Sequence, residues 1–176
     1  MARTLKPKDP NGPHARVYHS LLNSPAWRVL GPSAAKLFID LRATLTSTNN
    51  GNLNATLSEL KHRGWTSPTT LAKALYELRA MGFIAVTREG GLKMGTRVCT
   101  LYRFTDLEVY EQPKIGVQAC KATHDYLRFQ SVREAERELV DGLERLRVEG
   151  KKKQQTRKKV PVQKLYRSNT ESVAIA

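Results

Sequence analysis

Two stretches between residues 56 and 82 place apolar residues at helical spacing, and a short polar turn separates them. In the second stretch the apolar positions recur every three or four residues, which predicts one buried stripe on an amphipathic helix: Leu71, Ala74, Leu75 and Leu78. Ser67-Pro68 marks the start of this helix, because serine accepts a hydrogen bond from a first-turn amide and proline suits the first turn. Gly82 marks its end.

The first stretch predicts a short helix with a reciprocal cap. Thr56 and Glu59 form an S/T-x-x-E capping box, in which each side chain bonds the other residue's backbone N–H. Gly64 ends the helix, because a left-handed residue there has no Cβ to clash. Trp65 is expected to fill the corner between the two helices.

The segments around this helix pair predict further elements. A helix is expected over 34–44, and Leu53 is expected to form a short strand. Residues 83–87 and 98–104 are rich in β-branched and aromatic residues and predict two strands, joined by a glycine-rich loop over 88–97. The predicted fold class is α+β and helix-led.

A short helix, a turn, a second helix and a basic hairpin follow one another in the order of a winged helix-turn-helix. The polar side of the second helix predicts DNA base readout by Ser67, Thr69, Thr70, Lys73 and Tyr76. Contacts with the DNA backbone, including those of the hairpin, are predicted for Lys61, Arg63, Arg88, Lys93 and Arg97. An ordinary solvated surface would carry similar residues, but the order of the elements favours DNA.

Seven short motifs of the chain are Asn23-Ser24-Pro25-Ala26-Trp27-Arg28-Val29-Leu30, Asn49-Asn50-Gly51, Gly64-Trp65, Ala74-Leu75-Tyr76-Glu77-Leu78, Gly82-Phe83-Ile84, Thr87-Arg88-Glu89-Gly90-Gly91 and Leu101-Tyr102-Arg103-Phe104-Thr105. Together they resemble a winged-helix family found in proteobacterial phages, plasmids and integrated elements. The resemblance covers residues 17–107 and implies a winged helix similar to those of plasmid and phage replication proteins and of repressors.

The net charge of the chain indicates a polyanionic partner. The chain has 30 Lys and Arg against 16 Asp and Glu, a formal net charge of +14. We expect an extended basic arm over 1–16, the winged helix-turn-helix domain over 17–110, a helical extension over 111–149 and a disordered basic tail over 150–176. The tail is expected to attract phosphate without regard to sequence, through Lys151, Lys152, Lys153, Arg157, Lys158 and Lys159.

The extension carries an apolar stripe over 131–148, which predicts an amphipathic helix: Val132, Ala135, Leu139, Leu143 and Leu146. The stripe can dock on its own domain or pair with another chain, and both options remain open, although Gly142 disfavours a simple coiled coil. A second helix is expected over 117–129. Its expected packing residues are Cys120, Tyr126 and Leu127.

The chain lacks the sequence signatures of the enzymes that act on DNA. It has no G-x-x-x-x-G-K-[ST] loop, and its four histidines form no H-x-H or H-E-x-x-H motif, so no catalytic residue, cofactor or metal site is predicted. Cys99 and Cys120 are expected to be reduced thiols. No apolar run approaches the ~18 residues of a membrane span, and the N-terminus has no signal-peptide pattern. We therefore expect a cytoplasmic protein associated with the nucleoid or a plasmid.

These features predict a sequence-specific double-stranded DNA-binding protein that acts as a transcriptional regulator, and the family resemblance implies that it belongs to a bacterial mobile element. The expected mechanism is promoter occlusion or bending by a homodimer on a pseudo-palindrome, with 131–148 as an alternative contact for a protein partner. One alternative is a replication or partition protein that recognises origin or centromere-like repeats. Another is a non-specific nucleic-acid or RNA-binding protein.

Overall fold

Helices form most of the regular structure, and a small antiparallel sheet lies among them. A computed structural model describes residue 10, residues 12–93 and residues 95–159, with side chains as far as Val148 except those of Lys93 and Leu146. The helices and strands are, in chain order, α1 (His19–Leu22), α2 (Pro25–Arg28), α3 (Pro32–Arg42), β1 (Leu53–Asn54), α4 (Leu57–Leu60), α5 (Pro68–Ala80), β2 (Ile84–Arg88), β3 (Gly91–Lys93), β4 (Thr96–Val98), β5 (Leu101–Phe104) and α6 (Val132–Lys159). Short 3-10 helices span Lys61–Arg63, Pro113–Ile115 and Asp125–Arg128.

Helix α5 begins and ends as its sequence predicts. The Ser67 hydroxyl accepts a hydrogen bond from the backbone N–H of Thr70 at 3.2 Å, and Pro68 occupies the first turn. Leu71, Ala74 and Leu78 are buried on one side of the helix, and Leu75 is half-buried against the same core. After the helix, Gly82 has a φ of +76°, the left-handed conformation that glycine adopts without a Cβ clash. The predicted stripe and both ends of the helix are confirmed.

The predicted capping box of α4 is wrong. The Thr56 side chain makes no cap hydrogen bond, and its hydroxyl instead lies 3.0 Å from that of Ser58. The Thr56 backbone N–H, which Glu59 would have bonded, donates to the Asn54 side chain at 3.0 Å. A residue of β1 therefore supplies the acceptor. The prediction for Gly64 is confirmed, since its φ is +84°.

The sheet joins three strands in the order β1-β5-β2, all antiparallel. Leu53 pairs with Tyr102, and Ile84 pairs with Phe104. The expected strand at Leu53 is therefore confirmed. Strands β3 and β4 form a separate two-stranded sheet inside the segment predicted as a loop, and we call it the ribbon (residues 91–98). The chain is α+β in class, with helix predominating.

The core is organised around aromatic rings. Phe38 of α3 packs edge-to-face against Trp27, Phe83 and Phe104, with ring centroids 5.1–5.8 Å apart. Trp65 is buried, as expected, and fills the corner after α4. Helices α3 and α5 pack on one another. Because α5 buries one side in this core, its orientation relative to the sheet is set by the same packing.

The segment after the sheet folds back onto this core. Tyr126 stacks on Phe83 with ring centroids 5.4 Å apart, and Phe129, Ala135 and Leu139 join the same buried cluster. The domain boundary predicted at residue 110 therefore does not divide the packing, and the compact unit of the structure ends at Leu143. The first part of the α6 stripe is buried within its own chain rather than left for a partner.

The prediction of a helix over 117–129 is wrong for most of its length. Only Asp125–Arg128 is helical, as a 3-10 turn, and Leu127 is exposed, whereas Tyr126 is buried as expected. Val117 and Cys120 instead form isolated β-bridges with Gln112 and Val109. These bridges hold the segment extended, and extended backbone cannot continue a helix.

Helix α6 continues to Lys159, so residues 150–159 are helical where a disordered tail was expected. The sequence supplies a reason, because Lys, Gln and Arg are good helix formers and one glycine costs a helix only about 1 kcal/mol. The rest of the predicted tail, residues 160–176, and most of the predicted arm over 1–16 lie outside the described residues. From Glu144 onward the chain belongs to a second unit.

Cys99 and Cys120 are both free thiols, in agreement with the sequence. Across the residues that the structure describes, none of the helices combines the length and apolar character needed to cross a membrane.

Candidate nucleic-acid interface

The exposed side of α5 presents short polar side chains near its N-terminal end. Thr69 and Thr70 are exposed, and Ser67 is half-buried as the cap of the helix. Lys73 stands one turn further along, with 63% of its side chain exposed. Four of the five residues predicted to read bases therefore lie where a duplex can reach them, at one end of a helix whose other side is buried.

Lys73 is held only weakly in its present position. Its ammonium lies 3.7 Å from a carboxylate oxygen of Glu77, one turn along the same helix. This separation is longer than a hydrogen bond and the Lys73 side chain is exposed, so its ammonium is free to turn toward another acceptor. Glu77 is buried and cannot follow, because its carboxylate accepts a hydrogen bond from Gly31 N–H at 2.9 Å, at the start of α3.

The structure removes Tyr76 from the predicted base-reading set. Tyr76 is half-buried and packs against the core. Its hydroxyl lies so close to Gly142 of α6 that a Cβ on that glycine would overlap it, and the ring carbon Cζ would be 2.9 Å from the same Cβ. Helical spacing put Tyr76 on the polar side, but α6 covers this part of α5, and no local pattern in the sequence indicates that contact.

Lys61 and Arg63 follow α4 and differ in how tightly they are held. Lys61 is exposed. The Arg63 guanidinium lies 3.8 Å from the carboxylate of Asp40, and the Arg63 carbonyl accepts from Lys36 at 2.8 Å. Asp40 also accepts a 2.7 Å hydrogen bond from the Trp65 ring N–H.

We call Lys36, Asp40, Arg63 and Trp65 the turn cluster. It ties α3 to the turn between α4 and α5, and Lys36 lies over the Trp65 ring with its ammonium 4.9 Å from the centroid. Such a tie fixes the direction in which α5 leaves the turn. The sequence indicates a role only for Arg63, and for Trp65 as a residue that fills the corner. Lys36 and Asp40 lie 27 and 25 residues before Arg63 and Trp65, the residues they contact, so no local pattern joins them.

The ribbon carries one of the predicted basic residues in the open. Arg97 is exposed and pairs in register with Leu92, which is also exposed. Lys93 lies in β3 opposite Thr96, and its side chain is outside the described residues. Arg88 is different, because it is half-buried and donates to the Ile115 carbonyl at 3.3 Å. It therefore braces the segment at Ile115, and its predicted contact with the DNA backbone stays a prediction.

Arg79 is exposed near the C-terminal end of α5 and was not among the residues predicted to contact DNA. The positive charge of Arg79 affects the pKa of the Tyr102 hydroxyl in β5. Burial raises the pKa of the Tyr102 hydroxyl above its ordinary value, and the positive charge of Arg79 opposes that rise. Arg79 is seven residues after the exposed Ala72, and this helical spacing is the signal by which it could have been found.

The basic residues predicted in the tail belong to α6 by their backbone. Their side chains, Lys151, Lys152, Lys153, Arg157, Lys158 and Lys159, lie outside the described residues.

In comparisons with known proteins, no protein-family model, curated protein or solved structure matches the chain. The case for an interface therefore depends on its own geometry. Among the residues that the structure describes, no group of three or more His, Cys, Asp or Glu is placed to hold a metal ion.

This geometry combines three features that suit an extended polyanion. Hydroxyls and an ammonium project from the first two turns of α5, cations flank it at Lys61 and Arg79, and the exposed Arg97 lies on a slender ribbon. Hydroxyls can contact base edges or phosphates, and cations add attraction that does not depend on sequence.

Proposed function

We propose that the chain is a sequence-specific double-stranded DNA-binding protein of a bacterial mobile element and that it acts as a transcriptional regulator. Its DNA-binding unit would be a winged helix-turn-helix in which α4 and α5 are the helix pair and the hairpin from β2 to β5 is the wing. The strand order β1-β5-β2 and the element order α3, β1, α4, α5 and hairpin support this proposal.

One observation carries the proposal: α5 is buried along one side and exposes Thr69, Thr70 and Lys73 on the other. A helix of this kind can enter a major groove, which is wide enough for a helix and offers distinct donors and acceptors at each base pair. Thr69 and Thr70 suit a thymine methyl or a base edge, and Lys73 suits guanine or phosphate. Arg97 on the ribbon would contact the backbone beside it.

Selection of bound fragments from random duplex DNA tests this function directly. The proposal expects enrichment of one short motif, bound more tightly than scrambled duplexes at moderate salt. Sites in the gene's own upstream region would fit a regulator, whereas tandem repeats near an origin would fit a replication or partition protein. Equal binding to all duplexes would contradict sequence-specific recognition.

Replacing Lys73 or Thr69 by alanine should relax the preference for the selected motif. Removing a specific base contact costs about 1–3 kcal/mol, equivalent to about 5- to 150-fold in affinity for that motif. Titrations of the selected and scrambled duplexes, read by fluorescence anisotropy, measure the effect. Lys121→Ala and Thr48→Ala are matched controls, because both residues are exposed and lie outside α4, α5 and the ribbon. If the controls shifted the preference as much as the α5 variants, α5 would not be the base-reading helix.

Deleting residues 151–176 should weaken binding to every duplex alike. The deleted segment contains six basic residues between 151 and 159. The slope of log affinity against log salt should become shallower by about 0.9 for every phosphate that the shortened chain no longer neutralises. The measurement is affinity across a salt series for selected and scrambled DNA. Loss of discrimination with an unchanged salt slope would instead assign base readout to the tail.

A further inference from the structure

A surface cavity of about 540 Å³ lies beside the C-terminal end of α3, away from the residues assigned to DNA. Its walls are the coil at residues 14–18 and the loop at 45–47, and Arg42 and Leu107 complete the lining. The volume is in the range of small-molecule sites, which run from about 300 to 1,000 Å³. Neither the proposed DNA contacts nor the turn cluster accounts for it.

The cavity is positively charged. None of the described residues that line it is acidic, and two of them are arginines, Arg16 and Arg42. Arg42 forms an ion pair with Asp106, and the carboxylate offsets the positive charge of the guanidinium. Arg16 is exposed and has no ion pair with any described residue. A net positive charge therefore faces the space from Arg16.

Arg42 is the buried member of the cavity lining. Its side chain is 3% exposed, and the guanidinium lies over the rings of Phe104 and Phe38, 4.3 and 5.0 Å from their centroids. Arg42 Nε and Asp106 Oδ1 have no hydrogen-bond partner among the described residues. Buried polar atoms are nearly always bonded, and a buried ion pair is weak evidence for a stabilising role. Arg42 therefore brings a buried and incompletely bonded cation to the lining of the cavity.

We propose that this cavity binds a small organic carboxylate. The planar fork of Arg16 matches the two oxygens of a carboxylate, and the Thr46 and Ser47 hydroxyls in the same lining can donate to it. Leu45 and Leu107 provide an apolar wall for a hydrocarbon body. The mixture of one exposed cation and apolar lining suits such an amphipathic anion better than inorganic phosphate. This binding does not depend on the proposed DNA function.

Titration of the full-length protein with benzoate tests the proposal. Benzamide, a neutral molecule of the same shape, and inorganic phosphate serve as comparison probes, and both NMR shift changes and calorimetry report binding. We expect saturable shifts confined to residues 14–18, 42, 45–47 and 107. Benzoate should bind about three- to fivefold more tightly than either comparison probe, because only benzoate combines a charge that the exposed Arg16 can pair with an apolar ring.

Arg16→Gln should weaken benzoate binding about three- to fivefold without unfolding the chain, because Arg16 is exposed. Arg28→Gln, which changes an exposed arginine at the end of α2 outside the cavity, should leave it unchanged. Four results would overturn the proposal: no saturable binding, benzamide or phosphate binding as tightly as benzoate, shifts located elsewhere, or equal effects of the two arginine variants. None of these results depends on whether the protein binds DNA.

Discussion

Replacing Asp106 by alanine should lower the free energy of unfolding by about 3–5 kcal/mol, because the Arg42 charge would then be buried without its counter-charge. Both side chains are 3% exposed, and the guanidinium is enclosed by the Phe38 and Phe104 rings. Asp106 is the only acidic partner that the described residues offer to Arg42, so no other side chain can replace the missing carboxylate. Urea unfolding of the wild type and the variant, followed by circular dichroism, measures the change.

The double variant Arg42→Met with Asp106→Leu separates the cost of a broken pair from the value of the pair itself. Replacing a buried ion pair by apolar residues of similar volume is often neutral or stabilising, so the double variant should recover most of the loss. Arg42→Met alone should also destabilise the protein, since it leaves the Asp106 carboxylate buried. If Asp106→Ala cost less than about 1 kcal/mol, the pair would be solvated in solution and not part of the core.

The elements that the sequence predicted are those with local signals. Ser67-Pro68, the three- and four-residue spacing after it and Gly82 all lie within α5 or beside it, and the observed helix begins and ends with them. Strand alternation located β2 and β5 in the same way. Local rules can also lose to a neighbour: Glu59 does not cap α4, because Asn54 already occupies the Thr56 N–H.

The features that the sequence did not disclose join distant parts of the chain. The Arg42–Asp106 pair spans 64 residues, and Asn50 bonds Phe104 across 54. Tyr76 illustrates the consequence for the interface. Its helical position was inferred correctly, but its accessibility depends on α6, which meets it at Gly142. A periodic pattern identifies the side of a helix that faces away from one core, and it cannot exclude a second layer of packing.

The structure gives Gly142 a packing role that the sequence does not indicate. In the sequence, Gly142 disfavours a coiled coil, because glycine weakens helices. In the fold it is buried, and its missing side chain makes room for the Tyr76 hydroxyl. In this structure Ala135 and Leu139 are buried in the core of their own chain, and Leu143 packs against the same core. A homodimer stays a prediction, and it would need another surface.

Gly82→Ala should destabilise the protein by about 2–5 kcal/mol, the sum of two separate penalties. The first is conformational, because Gly82 has a φ of +76° and an alanine pays about 1–2 kcal/mol in that region. The second is steric, because a Cβ there would lie 2.6 Å from the Asp125 carbonyl carbon and 2.8 Å from the Tyr126 backbone nitrogen. Backbone atoms cannot turn aside as a side chain can, so the 3-10 helix must move away from α5.

Gly64→Ala is the matched control, and thermal and urea unfolding of the two variants should be compared. Gly64 has a φ of +84°, but its Cβ would meet nothing within 4 Å, so only the conformational penalty of about 1–2 kcal/mol applies. The excess cost of Gly82→Ala therefore measures how firmly residues 125–128 dock on the end of α5. Equal destabilisation in the two variants would mean that this segment is not packed there in solution, and the burial of Tyr126 beside Phe83 would then need another explanation.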